Sequence, residues 1–479
     1  MVNKLKDGYK DLLKDNLYTK YNINEILLRQ FESWGYSRIE TTLLEESDLF
    51  LRKSGGELAS MLLKLNGTDD DGIALRPEYT SSIIKKLVMD NYTGDYPTRL
   101  CYSGPVYRRS LENRSNNTET NQIGVELIGS EGMFGNLEIL NLIIEGFTAL
   151  KFNNVYVKLN SLKVLTSLLD TFSLSERTKL FVMSNIGTLK DSVDDQDLEN
   201  LLAQAEREGL ILNNRKLKRT DIGETAVRDL ISQMVKSFSS DWIGRRTIAD
   251  VENRYFDKFN GTENSDELSS ALKFMSTFTK FSGSSSDILK KTEIFLKEHG
   301  KSIHLLNPIK ETISTLNDTK LPIQVNAEWD MGFVQGLSYY SDLIFEFKSQ
   351  ANDSRILCSG GRYDGLTKAL GGEDIPALGF AYFVENLIEI IQNNEEWNEL
   401  TKSYIPNEII IVQPLDRNAV NYCMEWAANL REANEVNVVV ITNFFEDKER
   451  SVAYAKQLGA TRLIFMNDKE SETQQLKKV

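Results

Sequence analysis

Three tyrosines and two charged residues fall close together late in the chain, in a pattern that can hold a small planar ligand. Gly336-Leu337-Ser338-Tyr339-Tyr340 precedes Leu343–Phe347, whose apolar alternation predicts a strand. Ser359-Gly360-Gly361-Arg362-Tyr363-Asp364-Gly365-Leu366 follows, and reads as a strand end, a tight Gly-Gly turn and a helix start. Glycine carries no Cβ, so the backbone there can approach a bound molecule closely. Tyr339, Tyr340 and Tyr363 could wall such a ligand, with Arg362 or Asp364 fixing its charged ends. A strand, hairpin and helix around a buried aromatic pair is the other reading, and this stretch by itself leaves both open.

A second polar group lies upstream. Arg76-Pro77-Glu78-Tyr79-Thr80 leads into a helix over Ser81–Met89, with Thr80 placed to cap it. Arg99–Tyr102 predicts a strand that Gly104-Pro105-Val106-Tyr107-Arg108-Arg109 leaves, and a polar loop over Ser110–Asn121 leads to the strand Gln122–Ile128. Strand, polar loop and strand, with an arginine at the first strand's end, can hold an anion over a sheet. The chain has two histidines, His299 and His304, which excludes a histidine-rich metal site and argues against histidine as a general base. Cys101, Cys358 and Cys423 show no paired spacing and read as reduced thiols. Neither a metal nor a cofactor is expected.

These residues need a scaffold, and 479 residues allow two or three domains. No apolar run is long enough to span a membrane, and the charged start MVNKLKDGYKDLL has no signal-peptide hydrophobic region, so a soluble cytoplasmic protein is expected. The net charge of −14 disfavours broad nucleic-acid binding and suits a protein partner or a small ligand. Helical spacing predicts Tyr21–Trp34, closed by Gly35, before a strand over Tyr36–Leu44. Ser54-Gly55-Gly56 reads as a turn, and Leu63–Leu65 with Gly72–Leu75 as a hairpin across Asp69-Asp70-Asp71. Leu137–Leu150 predicts an amphipathic helix, Val155–Leu159 a strand and Ser161–Leu169 a helix. Residues 170–320 are helical in pattern and carry no motif, with Ser282–Ser286 as a flexible break. Strands return from Leu321 and lead to Ala377–Ala381 and a helix over Glu385–Gln392. Asn393–Ser403 reads as a linker. Glu408–Gln413, Val436–Ile441 and Thr461–Met466 then alternate as strands with helices over Ala419–Ala433 and Asp447–Leu458, the pattern of a small, largely parallel α/β domain.

In this order the pieces resemble class II histidyl-tRNA synthetase and its paralogues. Leu75–Thr80 is similar to that family's Leu-Arg-Pro-Glu-Gly-Thr segment. Gly104–Arg108 followed by Gln122–Gly129 resembles motif 2, Gly336–Tyr340 and Gly360–Leu366 resemble the two histidine-recognition motifs, and Leu378–Leu387 takes the place of motif 3. The resemblance implies an α+β fold. A class II aminoacyl-tRNA synthetase-like antiparallel sheet core would occupy 1–169 and 321–395, a helical insertion 170–320, and an α/β anticodon-binding-like domain 405–479. It also implies that Glu78, Thr80, Gln122 and Glu126 hold the ammonium group of histidine, for which carboxylates, an amide and a hydroxyl are suitable acceptors. Tyr339, Tyr340 and Tyr363 would surround the imidazole. Outside the resemblance, Glu126 could face solvent and Glu78 could be a helix-start acid favoured by the dipole.

The nucleotide-handling positions depart from the family pattern. Arg108 keeps the motif 2 arginine and would provide a residual anion contact. Asn386 stands where motif 3 has arginine, and Gln335 replaces the arginine expected before Gly336. Thr120 replaces the aromatic residue that would stack on adenine, Asn116 and Thr118 replace loop arginines, and Thr42 replaces the motif 1 proline. Neutral side chains cannot substitute for guanidinium groups on reacting phosphates. An amino-acid pocket without its activation machinery resembles the regulatory paralogue of histidine biosynthesis, as does Arg99–Gly104 beside that group's Arg-Leu-Cys-Tyr-Ala-Gly. That likeness implies a noncatalytic regulatory subunit of ATP phosphoribosyltransferase. It would bind histidine for feedback and form a homodimer core within a hetero-oligomer with short-form catalytic subunits. A divergent histidyl-tRNA synthetase and a synthetase-derived tRNA or amino-acid sensor are the alternatives. Acidic residues outnumber basic ones over 405–479, which weakens a tRNA-gripping role without excluding a local basic patch.

Overall fold

The computed structural model describes residues 15–51, 58, 60–65, 72–93, 97–109, 118–192, 195–211, 265–318, 323–335, 339–349, 355–391, 397, 409–433, 437–440 and 448–476. Ser54–Gly56, Asp69–Asp71, Asn116, Gly336–Ser338, Glu408, and most of the 110–121 loop and the 393–403 linker lie outside the described residues. The chain divides into two compact units, one containing Ile26–Leu387 and the other Asp11–Glu25 with Ile388–Val479.

Its strands are β1 (Ser37–Arg38), β2 (Leu44–Glu46), β3 (Leu63–Lys64), β4 (Ile73–Leu75), β5 (Thr98–Tyr107), β6 (Glu119–Ile128), β7 (Asn154–Ser161) and β8 (Ser282–Gly283). They continue as β9 (Gln324–Asp330), β10 (Leu343–Lys348), β11 (Ile356–Arg362), β12 (Ala377–Phe383), β13 (Ile409–Pro414), β14 (Asn437–Val440), β15 (Arg462–Met466) and β16 (Ser471–Gln475). The first unit is built on a nine-stranded sheet in the order β1-β5-β6-β12-β11-β10-β7-β9-β8. Its six central strands, β5 to β7 in that order, are all antiparallel. β1 joins β5 and β9 joins β7 in parallel, so the expected antiparallel core is the middle of a mixed sheet. The expected hairpin forms as β3 against β4, with β2 added on the far side.

The apolar runs in β6, β10 and β12 are covered on both faces. On one face, Ile139, Leu142, Ile143 and Phe147 of the helix Gly132–Ala149 are buried against the sheet. Phe147 packs at 5.6 Å from Phe347 and 5.2 Å from Tyr382, and Phe31 lies 5.8 Å from Phe380. Each such side chain contributes about 1.5–3 kcal/mol by leaving water. The opposite face carries the polar residues discussed below. Residues from 170–320 add helices over Glu176–Ser184, Ile186–Asp191, Asp195–Arg207, Ser265–Phe278, Ser285–Glu298 and Asn307–Asp318.

Several local expectations are corrected. Gly360-Gly361 is not a turn. Both glycines lie inside β11, paired with β10 on one side and β12 on the other. A Cβ on Gly360 would meet the Gly379 carbonyl, and one on Gly361 the Leu343 carbonyl and the Tyr340 ring. The close approach these glycines permit is that of neighbouring strands. The turn comes later, at Gly365 with φ of 81°. β5 does not end at Tyr102 but runs to Tyr107, because β6 supplies partners along its whole length. Ser282–Ser286 is ordered: β8 pairs with β9, and the Ser284 side chain caps the helix Ser285–Glu298.

The second unit holds a four-stranded sheet, β14-β13-β15-β16. Its first three strands are parallel, as the alternation predicts, and β16 adds an antiparallel edge that the sequence pattern does not reveal. Ile410, Val412, Ala427 and Ile464 form one buried layer, and Ile411, Ala455, Leu463 and Phe465 another. Among the described residues, no helix is long and apolar enough to cross a membrane.

Two glycine substitutions separate strand crowding from backbone freedom. Gly360→Ala is expected to destabilise the protein by about 2 kcal/mol, since two backbones would have to separate. Gly187→Ala, in a helix with open space around it, is expected to be neutral or stabilising by about 0.5–1 kcal/mol. Chemical denaturation midpoints measure both, and equal effects would contradict the crowding account.

Candidate functional site

Strand alternation places β6 residues Gln122, Gly124 and Glu126 on one face of the sheet. Opposite them in register stand Phe383, Ala381 and Gly379 of β12, and Gly104, Tyr102 and Leu100 of β5. Ser359 of β11 extends the row beyond Ala381. These strands form the floor of a cavity lined by both polar and aromatic side chains. Glu78 and Thr80, at the start of the helix Thr80–Met89, form one wall. Tyr339, Tyr340 and Tyr363 form another, and Arg108 stands at the rim. All seven residues named for an amino-acid ligand, and Arg108, therefore line one pocket.

The two carboxylates are buried and held differently. Glu126 is 1% exposed, accepts a hydrogen bond from Thr80 Oγ1 at 2.7 Å, and accepts another from the Tyr363 hydroxyl. A Cβ on Gly379 would run into this carboxylate, so only glycine fits opposite it. Glu78 accepts the Ser81 N–H on both oxygens, each at 3.1 Å. It thus satisfies the helix start while lining the pocket, so the helix-start and ligand-facing readings both describe it. Thr80 does not cap the helix as expected. It is the first helical residue, and its hydroxyl is committed to Glu126.

Burial dominates the electrostatics. It pushes the Glu126 carboxyl up to about 8 against the lowering effect of the Tyr363 and Thr80 hydrogen bonds, with the neighbouring Glu78 raising it further. Burial likewise raises Glu78, opposed by its bonds to Ser81. The phenols of Tyr102, Tyr339, Tyr340 and Tyr363 are all raised, first by burial and then by the nearby acids, so they remain neutral hydrogen-bond donors. The tyrosine wall is a packed unit, with Tyr339 at 5.0 Å from Tyr340 and 5.8 Å from Tyr363. Carboxylate, amide and hydroxyl acceptors in an aromatic-walled cavity suit an organic ammonium ion.

Arg362 and Asp364 do not serve the cavity. The Arg362 guanidinium donates to Ser130 O and Gly132 O at 3.0 Å and to Asn136 Oδ1, and it pairs with Asp364. Asp364 also accepts the Ala377 N–H at 2.9 Å. The guanidinium ties the end of β11 to the start of the Gly132–Ala149 helix. Gln335 donates to Phe345 O at 2.8 Å, and Asn386 donates to Ile356 O at 2.7 Å. Both amides are thus engaged with backbone, and neither lines the cavity. Arg108 Nε donates to Pro77 O at 2.8 Å, and Arg108 is the one cation among the described residues lining the cavity. Among the described residues, no group of His, Cys, Asp and Glu could hold a metal ion. Tyr102, Ser359, Gly379, Phe380, Ala381 and Phe383 also line the site without having been singled out. The spacing of Gln122 and Glu126 on one strand is the available signal, since every residue registered across from them shares that face.

Sheet and helices together form a class II aminoacyl-tRNA synthetase-like fold. A profile described as histidyl-tRNA synthetase matches residues 8–236 and 251–387. The chain is 26% identical to a histidine–tRNA ligase of Sulfurisphaera tokodaii over 97% of its own length and 91% of that protein. It is also 26% identical to an ATP phosphoribosyltransferase regulatory subunit of Nostoc sp., over 97% of each chain. A crystal structure from Bacillus halodurans, described as an ATP phosphoribosyltransferase regulatory subunit/histidyl-tRNA synthetase, has the same fold. The TM-score is 0.60 at 19% identity, covering 95% of this chain and 97% of that one. The chain belongs to the histidyl-tRNA synthetase family.

Burial of Glu126 has a measurable cost. Unfolded, its carboxyl titrates near the ordinary 4.5; folded, near about 8. Across that window the folded state binds more protons, so this residue's contribution to stability falls as pH rises from 4.5 to 8. Glu126→Gln keeps the shape and removes the titration. Its unfolding free energy is expected to approach that of wild type near pH 4.5 and to exceed it at pH 8 by on the order of 4 kcal/mol. A variant no more stable than wild type at pH 8 would contradict this.

Proposed function

We propose that this protein is a noncatalytic regulatory subunit of ATP phosphoribosyltransferase that binds histidine for feedback control and assembles with short-form catalytic subunits. One observation carries the reading. The pocket presents Glu78, Thr80, Gln122, Glu126 and three tyrosines to a ligand, while Gln335 and Asn386 stand as backbone-bound amides where activation would need guanidinium groups. The full-length similarity to regulatory subunits such as the Nostoc sp. protein supports it.

In this reading the histidine ammonium lies between Glu78 and Glu126, its imidazole lies against the tyrosines, and its carboxylate pairs with Arg108. Binding energy that differs between two assembly states shifts their balance, and the same coupling alters catalytic-subunit activity. A second reading, a divergent histidyl-tRNA synthetase, is favoured by one feature: Arg108 remains at the cavity rim, where an α-phosphate would be met.

Calorimetry and exchange assays separate the two. Histidine is expected to bind at pH 7 with release of about one proton, because an ammonium ion forces the raised Glu126 carboxyl to ionise. Affinity should therefore rise between pH 6 and 8. Comparing buffers of different ionisation enthalpy gives the proton count. Histidine-dependent ATP–pyrophosphate exchange by the purified protein should be absent, and its presence would replace the regulatory reading with the synthetase one. No histidine binding, together with no co-purifying ATP phosphoribosyltransferase, would remove the regulatory reading.

A further inference from the structure

The lining residues that solvent reaches mark where the cavity opens. Arg108, Tyr340, Ser359 and Phe383 are partly exposed, whereas Glu78, Gln122, Glu126, Tyr339 and Tyr363 are at most 4% exposed. Three of the four at the opening carry polar groups. Phe383 is the exception, and its place in β12 is particular. The residues that β12 turns toward the cavity face are Ala377, Gly379, Ala381 and then Phe383. The first three keep the floor low. The last, at the end of the strand, carries a full ring. The opposite alternation confirms the side: Tyr382 packs on Phe147 at 5.2 Å and donates to Ile143 O at 2.6 Å, both on the helix Gly132–Ala149.

The backbone that carries this ring is fixed on both flanks. The chain passes from Phe383 directly into the helix Val384–Ile391. In the first turn of that helix, Glu385 accepts the Asn121 N–H at 2.9 Å and the Asn121 side-chain amide at 2.7 Å. Asn386 donates to Ile356 O at 2.7 Å. Asn121 belongs to β6 and Ile356 to β11, the two neighbours of β12. Phe383 itself is in register with Gln122. Its ring can therefore give way only by turning about its own side-chain bonds, against neighbours already in place.

We infer that Phe383 is a specificity-determining residue: its ring closes the opening to anything carried on a ligand's carboxyl group, so the pocket takes a free α-amino acid and refuses its amides, esters and peptides. This rests on the reading of the pocket as a histidine site with the carboxylate on Arg108. A free carboxylate ends at its two oxygens and gains a charge pair. A group attached to it must displace a ring whose backbone is tied to two strands. A sensor built in this way reports the free amino acid and ignores the same side chain in a peptide or an activated ester.

Calorimetric titrations with histidine, histidine methylamide and histidine benzylamide, on wild type and on Phe383→Ala and Phe383→Leu, test the assignment. Both amides lack the carboxylate charge, so the lost pairing with Arg108 is common to them and their ratio reads size alone. Wild type is expected to bind the benzylamide about thirtyfold more weakly than the methylamide, the scale of overfilling a packed site. In Phe383→Ala the two amides should fall within about threefold of each other, with Phe383→Leu between. Equal amide affinities in wild type overturn the assignment. So does a Phe383→Ala protein that still refuses the benzylamide. Where the alanine variant does not fold, the wild-type ratio and the leucine variant decide. Wild type that binds no histidine removes the function proposed above and this assignment with it, whereas histidine binding without discrimination by size removes the assignment alone.

Discussion

Glu126 stands in β6, 1% exposed, among side chains that could have been an apolar core. A charge there costs several kcal/mol unless it is met by donors or an opposite charge. Much of the surrounding sequence answers that cost. Thr80 is drawn from a capping role to donate a hydrogen bond, Tyr363 points its hydroxyl inward, and Gly379 gives up its side chain to leave room. A pocket built around this carboxylate is held at a higher free energy than an apolar core would be, and a cation is the species best able to relieve it. Fold stability and attraction for a cation are thus set against each other at one carboxylate.

The polar side chains carried by this frame differ in character. Glu78, Thr80, Gln122 and Glu126 line the cavity. Gln335 and Asn386, outside the cavity, are tied to the carbonyls of Phe345 and Ile356 and act as clasps for β10 and β11. A neutral amide can satisfy a sheet backbone, but it cannot spread over a phosphate as a guanidinium fork does. The same sheet therefore lines a cavity with polar side chains at one place and carries only structural contacts at these two positions.

The long periodic elements were legible in the sequence, as were the residues that meet in the pocket, because period-2 and period-3.6 patterns and five ordered motifs are local properties. What the sequence withheld depends on pairing across distance. Gly360-Gly361 reads as a turn because local rules treat paired glycines as breakers. Only the presence of β10 and β12 on both flanks shows them to be crowded strand residues. Arg362 reads as a ligand contact because an arginine beside glycines and a tyrosine invites it, whereas the start of the Gly132–Ala149 helix, more than two hundred residues earlier, claims its guanidinium. Ser359, Ala381 and Tyr102 join the site through register alone, and β16 escapes notice because a polar edge strand has no apolar period to betray it.

The strands beneath the pocket are crowded at their glycines. Gly124, Gly360, Gly361 and Gly379 each lie against a neighbouring carbonyl or side chain with no space for even a methyl group. A surface of that kind cannot be resculpted one residue at a time, since any side chain added there parts the strands before it reaches a ligand. Change in proteins built on this frame is therefore channelled to the walls: to Glu78 and Thr80 at the helix start, the tyrosines, and Arg108. The lining can change along those walls while the sheet beneath it stays as it is.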